Sequence, residues 1–302
     1  MKIIVCDKTE SEAIEKMRAA GLQVDVRDTV TPEELPDVLP AYDGMVVRSR
    51  TKVRQALLEK CPNLKLIVRG GVGLDTIDVE YARSKGVAVM NTPLASTDSV
   101  AELTIGLMFA LARSIVQATV SMKAEKWDKK SFEGDEIGGK TLGVIGLGNI
   151  GKGVAVRAQA LGMKVVAYDP YTKNTAGFQM VEKLDDLLKV ADYITLHMPK
   201  TSETANMLSE AQFAMMKNGV RIVNCGRGGI VNESALAAAL TSGKVAGAAL
   251  DVFAEEPPTD WSFVKLPNVI CSPHIGASTK EGQGRVGMEV ADIVINFAAT
   301  NK

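Results

Sequence analysis

Lys140-Thr141-Leu142-Gly143-Val144-Ile145-Gly146-Leu147-Gly148-Asn149-Ile150-Gly151 is the stretch from which the rest of the chain is read. Residues 141–145 are short, apolar and β-branched, as suits a buried parallel strand. Gly146, Gly148 and Gly151 follow in G-x-G-x-x-G spacing. In a strand-to-helix turn the first glycine permits the tight reversal and the second lets a pyrophosphate approach the backbone. The third lets the helix pack closely on its strand. Apolar positions from Ile150 to Leu161 fit a helix that Gly162 ends. Its N-terminus would offer free N–H groups and the positive end of the helix dipole to an anion. A second strand, Lys164 to Tyr168, delivers Asp169 about twenty residues beyond the glycines, where a carboxylate can accept from ribose hydroxyls. Glycine-rich turns are common, but strand, helix and terminal acid occur here in register, and they predict a dinucleotide site. Asp169 would repel a 2′-phosphate, which favours NAD over NADP as cofactor.

Outside this unit the composition sets limits. A length of 302 residues allows about two domains. The formal net charge of −1 gives no reason to expect nucleic acid or a membrane surface as partner. The longest apolar run, Leu103 to Ala112, falls short of the ~20 residues a spanning helix needs. The chain enters a strand pattern at once and meets Asp7, so no signal peptide is visible. Cys6, Cys61, Cys225 and Cys271 are scattered, lack metal-ligand spacing and sit in or beside apolar segments. They read as small buried hydrophobes of a reducing cytoplasm. With only His197 and His274 available, no metal is expected.

From the N-terminus, strands are predicted at Lys2–Cys6, Leu22–Val26, Met45–Val47, Leu64–Val68 and Val87–Met90, with helices at 10–19, from Thr51 to Lys60, and around 78–84. Thr51 is placed to cap its helix, and Pro62 blocks that helix from continuing. Arg69-Gly70-Gly71-Val72-Gly73 is a glycine-rich turn at a strand end. This alternation predicts an α/β domain with a mostly parallel sheet, whose ligands bind beyond the strand C-termini, after Val47 and Val68. Asn91-Thr92-Pro93 breaks the pattern as a hinge. Ser99-Val100-Ala101-Glu102 has capping-box form and opens a long helix through Ala112, extending towards Lys126. The lysine-rich segment 127–139 reads as loop. Beyond Asp169, helices are predicted near 184–190, 209–217 and 233–241, and strands at 192–196, 220–224, 246–250 and 268–271. A final helix starts at about Thr279 and is expected to return to the first domain.

Three strand-end segments carry the chemistry. In Asn224-Cys225-Gly226-Arg227-Gly228-Gly229 an arginine sits on a glycine-rich turn, its planar fork suited to a substrate carboxylate and a polarised keto oxygen. In Asp251-Val252-Phe253-Ala254-Glu255-Glu256-Pro257 the aspartate ends a strand where it can face a nicotinamide carboxamide, and Glu256 lies where prolines fix the loop. In Ser272-Pro273-His274-Ile275-Gly276-Ala277 the histidine follows a strand and a proline, with small residues beyond it. Alone, each has a plain structural alternative: a surface arginine, a solvated acidic loop, a core histidine. Together they supply what dehydrogenation of a 2-hydroxy acid needs: a base (His274), a group to orient it (Glu256) and a cation for the carboxylate (Arg227). His197, before Met198-Pro199, is the competing base and is read as lining the cofactor side.

On the motifs Gly146–Gly151, Cys225–Gly229, Asp251–Pro257 and Ser272–Ala277 the chain resembles the D-isomer-specific 2-hydroxyacid dehydrogenases, over essentially its whole length. The match is nearest to the members that oxidise 3-phosphoglycerate to 3-phosphohydroxypyruvate at the start of serine biosynthesis. Val47-Arg48-Ser49, Gly70–Asp75, Val89–Pro93, Met122–Trp127, Gly247–Pro258 and His274–Lys280 carry that likeness. The resemblance implies two doubly wound parallel-sheet α/β domains. A Rossmann NAD-binding domain (94–282) would be inserted in a flavodoxin-like substrate domain (1–93 and 283–302). It implies catalysis by Arg227, Glu256 and His274, and cofactor contacts at Val72, Gly146, Gly148, Asn149, Ile150, Gly151, Asp169, Met198, Cys225, Gly226, Asp251, Gly276 and Ala277. Val72 and Met198 stand where such members often carry threonine, so a contact there would run through backbone.

A phosphorylated 2-hydroxy or 2-oxo acid needs cations beyond Arg227. Arg48 and Arg69 are the candidates, with Ser49 and the amides of Gly70, Gly71, Val72 and Gly73 as further donors. Lys129 and Lys130 could reach a neighbouring subunit's site, or be solvated surface lysines. Substrate is expected between the domains, with closure about hinges near Pro93 and Gly282. A homodimer through the 94–126 helices is a family-level expectation, and feedback through a serine-binding C-terminal domain is not expected. Other readings are a glyoxylate or hydroxypyruvate reductase and, in a different class, an NAD-sensing protein-binding module.

Overall fold

The computed structural model describes residues 1–172, 175 and 177–301. The chain divides into two compact units, Met1–Thr97 with Ala277–Lys302, and Asp98–Gly276. The division thus falls at 97/98 and 276/277, where the sequence reading has 93/94 and 282/283.

The first unit holds five parallel strands: β1 (Lys2–Val5), β2 (Gln23–Val26), β3 (Gly44–Val47), β4 (Leu66–Arg69) and β5 (Ala88–Asn91). Their order is β2-β1-β3-β4-β5. Side chains alternate across the sheet as the two-residue period of a strand requires. Ile4, Met45, Val47 and Ile67 pack under Leu35, Leu39 and Leu57 on one face. Ile3, Val5, Val46 and Val68 pack with Met17, Val286, Val290 and Val294 on the other. Burying each such aliphatic side chain stabilises by about 1.5–3 kcal/mol. The helix Lys280–Thr300 opens where Thr279 accepts a hydrogen bond from the Gly282 amide (2.9 Å). It lies on the helix Ser11–Ala19, close enough at Gly287 that a Cβ there would stand 3.2 Å from Ala13.

Thr51 does not cap a helix. The helix in that region is confined to Gln55–Leu58, whose first amide bonds to Asp78 (2.8 Å). The Thr51 hydroxyl donates instead to the buried carboxylate of Asp7 (2.7 Å). A buried charge gains more from a donor than an exposed helix end does.

The second unit holds seven parallel strands: β6 (Thr141–Ile145), β7 (Lys164–Tyr168), β8 (Gln179–Met180), β9 (Tyr193–Leu196), β10 (Val220–Asn224), β11 (Val245–Leu250) and β12 (Val269–Cys271). Their order, β12-β11-β10-β9-β6-β7-β8, means that the chain leaves β6 in one direction and later returns to its other side at β9. Each sheet therefore has a switch point, at β1/β3 and at β6/β9, beyond whose strand C-termini ligands of such sheets bind.

Two boundaries differ from the sequence reading. The helix Thr97–Ala112 begins before Ser99, which is buried within it, so Ser99 is not the cap. At Ser114 the backbone turns left-handed (φ 49°), and the chain bends by 65° into a separate helix, Ile115–Lys123. A 3-10 turn, Lys129–Phe132, lies within the segment read as loop. Among the described residues no single helix is long and apolar enough to cross a membrane.

Candidate active site

The glycine turn occupies the β6/β9 switch point, and each glycine has its own reason to be there. Gly146 has φ 89°, and a Cβ on it would lie 2.6 Å from the His197 carbonyl oxygen. A Cβ on Gly151 would come within 2.0 Å of the Gly146 oxygen, so the helix Asn149–Ala160 can rise so close to its strand only without one. A Cβ on Gly148, at the helix N-cap, would meet nothing within 4 Å among the described residues. That open approach to a helix N-terminus fits a pyrophosphate, with Asn149, Ile150 and Gly151 forming the first turn. Asp169, just past β7, accepts from the Leu147 amide (2.8 Å) with one oxygen and from the Tyr171 and Thr172 amides (2.9 and 3.1 Å) with the other. It ties the glycine turn to the next strand and keeps its negative charge beside it. Residues of this set fit a dinucleotide.

His197 and Met198 follow β9 directly. The His197 Nε2 lies 2.9 Å from the Thr195 hydroxyl, its Nδ1 is buried without a hydrogen-bond partner among the described residues, and burial drives its pKa down to about 3. So buried an imidazole stays neutral at physiological pH. Cys225, Gly226 and Arg227 follow β10 in the same layer. A Cβ on Gly226 would lie 2.7 Å from the Leu196 oxygen. Burial pushes the Cys225 thiol up to about 12 and Cys271 to about 11, so neither is a thiolate nucleophile.

Around His274 the chain builds a brace from several strand ends. His274 Nδ1 stands 2.6 Å from Glu256 Oε2, and the other Glu256 oxygen accepts from the Phe253 amide (3.1 Å). Burial raises the Glu256 carboxyl, but hydrogen bonds from His274 and the Phe253 amide, with the charges of His274 and Arg227, outweigh it and hold the group below its ordinary value. His274 itself has a left-handed backbone (φ 52°), a conformation seldom adopted outside glycine and tolerated at functional sites. Asp251, at the end of β11, is almost wholly buried. It accepts from the Ser272 hydroxyl (2.6 Å) and from the Ile275 and Gly276 amides (2.8 and 2.7 Å), bonds that fix the loop on both sides of His274. Its three donors leave one lone-pair direction for the carboxamide contact read from sequence.

Arg227 is set by a residue the sequence reading passed over. Buried Asn224 accepts from the Gly226 amide (3.0 Å) and donates to the Arg227 carbonyl (2.9 Å), and the Arg227 guanidinium donates to the Gly226 oxygen (2.8 Å). A Cβ on Gly228 would fall 1.7 Å from the Phe253 oxygen, so the arginine turn lies directly against the Glu256 loop. The structure thus brings Arg227, Glu256 and His274 together. An asparagine ending a strand just before a glycine-arginine turn was the available signal for Asn224.

In the first unit Arg48, Ser49 and Arg69 follow β3 and end β4. The Arg48 stem lies beside Gly70, and the Arg69 guanidinium covers Gly71 so closely that a Cβ there would be 1.8 Å from it. The amides of this loop are not all available. Gly70 donates to the Val47 carbonyl (2.9 Å) and Gly71 to the Thr92 hydroxyl (2.7 Å), because the ladder and the β5 exit take them first. This corrects the reading of those two amides as ligand donors. Val72 and Gly73 lie beyond them, with the Val72 carbonyl held by Asn91 (2.5 Å).

Residues 105–276, nearly the whole second unit, match the model of the D-isomer specific 2-hydroxyacid dehydrogenase NAD binding domain. The chain belongs to the D-isomer specific 2-hydroxyacid dehydrogenase family. A D-3-phosphoglycerate dehydrogenase of Methanocaldococcus jannaschii is 49% identical over 296 residues, which are 97% of this chain and 56% of that protein. The chain therefore spans little more than half of that relative. A hydroxypyruvate reductase of Thermotoga maritima is 48% identical over 295 residues, 96% of each chain. The crystal structure of a D-lactate dehydrogenase of Aquifex aeolicus, complexed with NAD and lactic acid, superposes with a TM-score of 0.87. It is 31% identical and covers 100% of this chain and 96% of its own. The two-sheet α/β architecture is that of the family, and its cofactor is NAD.

Proposed function

We propose that the chain transfers a hydride between NAD and C2 of a D-2-hydroxy acid, with 3-phosphoglycerate and 3-phosphohydroxypyruvate as the substrate pair, the first oxidation towards serine. The observation that carries the chemistry is the 2.6 Å contact between His274 Nδ1 and Glu256 Oε2 beside the Arg227 turn. Because Nδ1 is held, proton exchange with substrate falls to Nε2. In oxidation His274 takes the hydroxyl proton, Glu256 stabilises the resulting imidazolium, and Arg227 holds the carboxylate and the developing carbonyl. Bound NAD supplies the hydride acceptor. In reduction His274 returns the proton. Arg48, Ser49 and Arg69, with the Val72 and Gly73 amides, are the proposed donors to the phosphate. The relatives named for phosphoglycerate support that substrate.

Activity on unphosphorylated hydroxypyruvate is the second reading, favoured by the Thermotoga maritima relative, which is 48% identical. Oxidation of NADH with 3-phosphohydroxypyruvate, hydroxypyruvate, pyruvate and glyoxylate separates the two. The phosphorylated keto acid should give the highest kcat/KM, and Arg48→Met should lower that value far more than the value for hydroxypyruvate. Preference for hydroxypyruvate would overturn the phosphoglycerate assignment, and no oxidation with any of the four would overturn the dehydrogenase. We place the activity in the cytoplasm, a reading supported by four free thiols, and in a homodimer formed through the helix Ile115–Lys123.

A further inference from the structure

Asp7 follows β1 and is 4% exposed, yet nothing in the chemistry above uses it. Its carboxylate is a collecting point. Oδ2 accepts from the amides of Arg48 (2.5 Å) and Thr51 (3.2 Å), and Oδ1 from the Thr51 hydroxyl (2.7 Å) and Arg50 Nε (3.0 Å). The same Arg50 guanidinium donates to the Cys6 carbonyl. All four donors to Asp7 come from three of the four residues that leave β3, Arg48, Arg50 and Thr51, so one buried carboxylate ties down the segment bearing Arg48 and Ser49. Four hydrogen bonds use the accepting capacity of a carboxylate in full. β1 and β3 flank the switch point of the five-stranded sheet, the place where such a sheet receives its ligand.

We propose that Asp7 is a positioning residue for the substrate phosphate. It holds the Arg48–Thr51 segment in its binding conformation before substrate arrives, and Arg50 is the clamp of that segment rather than a phosphate ligand. The inference rests on the phosphoglycerate reading above. A segment fixed in advance spares the bound complex the entropic cost of ordering it. The Arg50 fork spans Asp7 and the Cys6 carbonyl and so draws one arginine of the segment away from the ligand. Among the described residues Arg48 is tied by its amide alone, which keeps its guanidinium for substrate.

Asp7→Asn tests this, because an amide turned either way points an NH₂ at donors. In Asp7→Asn, KM for 3-phosphohydroxypyruvate should rise about tenfold or more, the fold-change expected when hydrogen bonds to a charged group are lost. The kcat, the KM for NADH and the KM for hydroxypyruvate should each stay within about threefold, a margin below one hydrogen bond. Thr51→Val should shift the same KM in the same direction, and Thr51→Ser should restore it. If Asp7→Asn does not fold, the Thr51 pair decides. Equal losses for both keto acids, or no loss in either variant, overturn the positioning role while the wild-type preference for the phosphorylated acid stands. Wild-type indifference to the phosphate overturns both readings.

Discussion

His274 offers one nitrogen to chemistry because Glu256 occupies the other at 2.6 Å. His274→Ala removes the proton acceptor alone, so turnover should fall by about 10²- to 10⁴-fold with NADH affinity unchanged, measured by steady-state rates and fluorescence titration. Wild-type turnover in that variant would remove His274 from the mechanism. Glu256 gives a separate pH signature. Its folded-state carboxyl lies below the ordinary range, so the ionised form is favoured by the fold. That stability is present in full above the unfolded value of about 4.3 and is lost as pH falls through the folded value. On acidification the thermal midpoint of the wild type should drop more than that of Glu256→Gln, and parallel curves would refute the coupling. The grouping of His274, Glu256 and Arg227 was legible in sequence because each lies on a segment that follows a strand, beside glycine or proline. Asp7, and Asn224 behind Arg227, were not. Their partners are largely backbone amides and carbonyls, whose positions only the folded chain determines.

The unit from β6 through the helix Asn149–Ala160 to β7 was legible as an element, down to β7 itself, because glycines at both ends leave no other boundary. The break at Ser114 was hidden. No glycine or proline marks it, and apolar residues resume directly after Arg113-Ser114, at Ile115 and Val116. The glycine turn allows a test in which stability and binding part company. Gly148 has ordinary extended backbone, and a Cβ there meets nothing within 4 Å among the described residues, so Gly148→Ala should keep its thermal stability within about 1 kcal/mol and lose NADH affinity, as its methyl enters the cofactor approach. Gly151→Ala should instead lose stability, about 1–3 kcal/mol or more, because its methyl has 2.0 Å to the Gly146 oxygen. Calorimetry with NADH titration checks both, and unchanged NADH binding in Gly148→Ala would show that the pyrophosphate lies elsewhere.

At the scale of the whole molecule, the helix Ile115–Lys123 is the anomaly. Its composition is that of a core helix, yet none of its residues is buried: Ile115, Val116, Val120 and Met122 face outward, and Trp127 beyond it is 82% exposed. Several large apolar side chains exposed on one short helix mark a surface that another protein covers. A second copy of the chain is the occupant proposed here, since the formal net charge of −1 leaves little repulsion between copies. Val120, 62% exposed and on the outer face, contributes little to the folded monomer. Val120→Glu should therefore leave the monomer's fold intact and place a desolvated carboxylate in the interface, at a cost of several kcal/mol. Sedimentation velocity should show a wild-type dimer and a Val120→Glu monomer. If Lys129 and Lys130 reach the neighbour's site, that monomer should also bind 3-phosphohydroxypyruvate more weakly, and adding Lys129→Ala and Lys130→Ala should weaken it no further. In the wild-type dimer the same two lysine substitutions should weaken binding on their own. A further loss in the monomer would mean that the lysines serve their own subunit, and a monomeric wild type would mean that the apolar face meets a different partner.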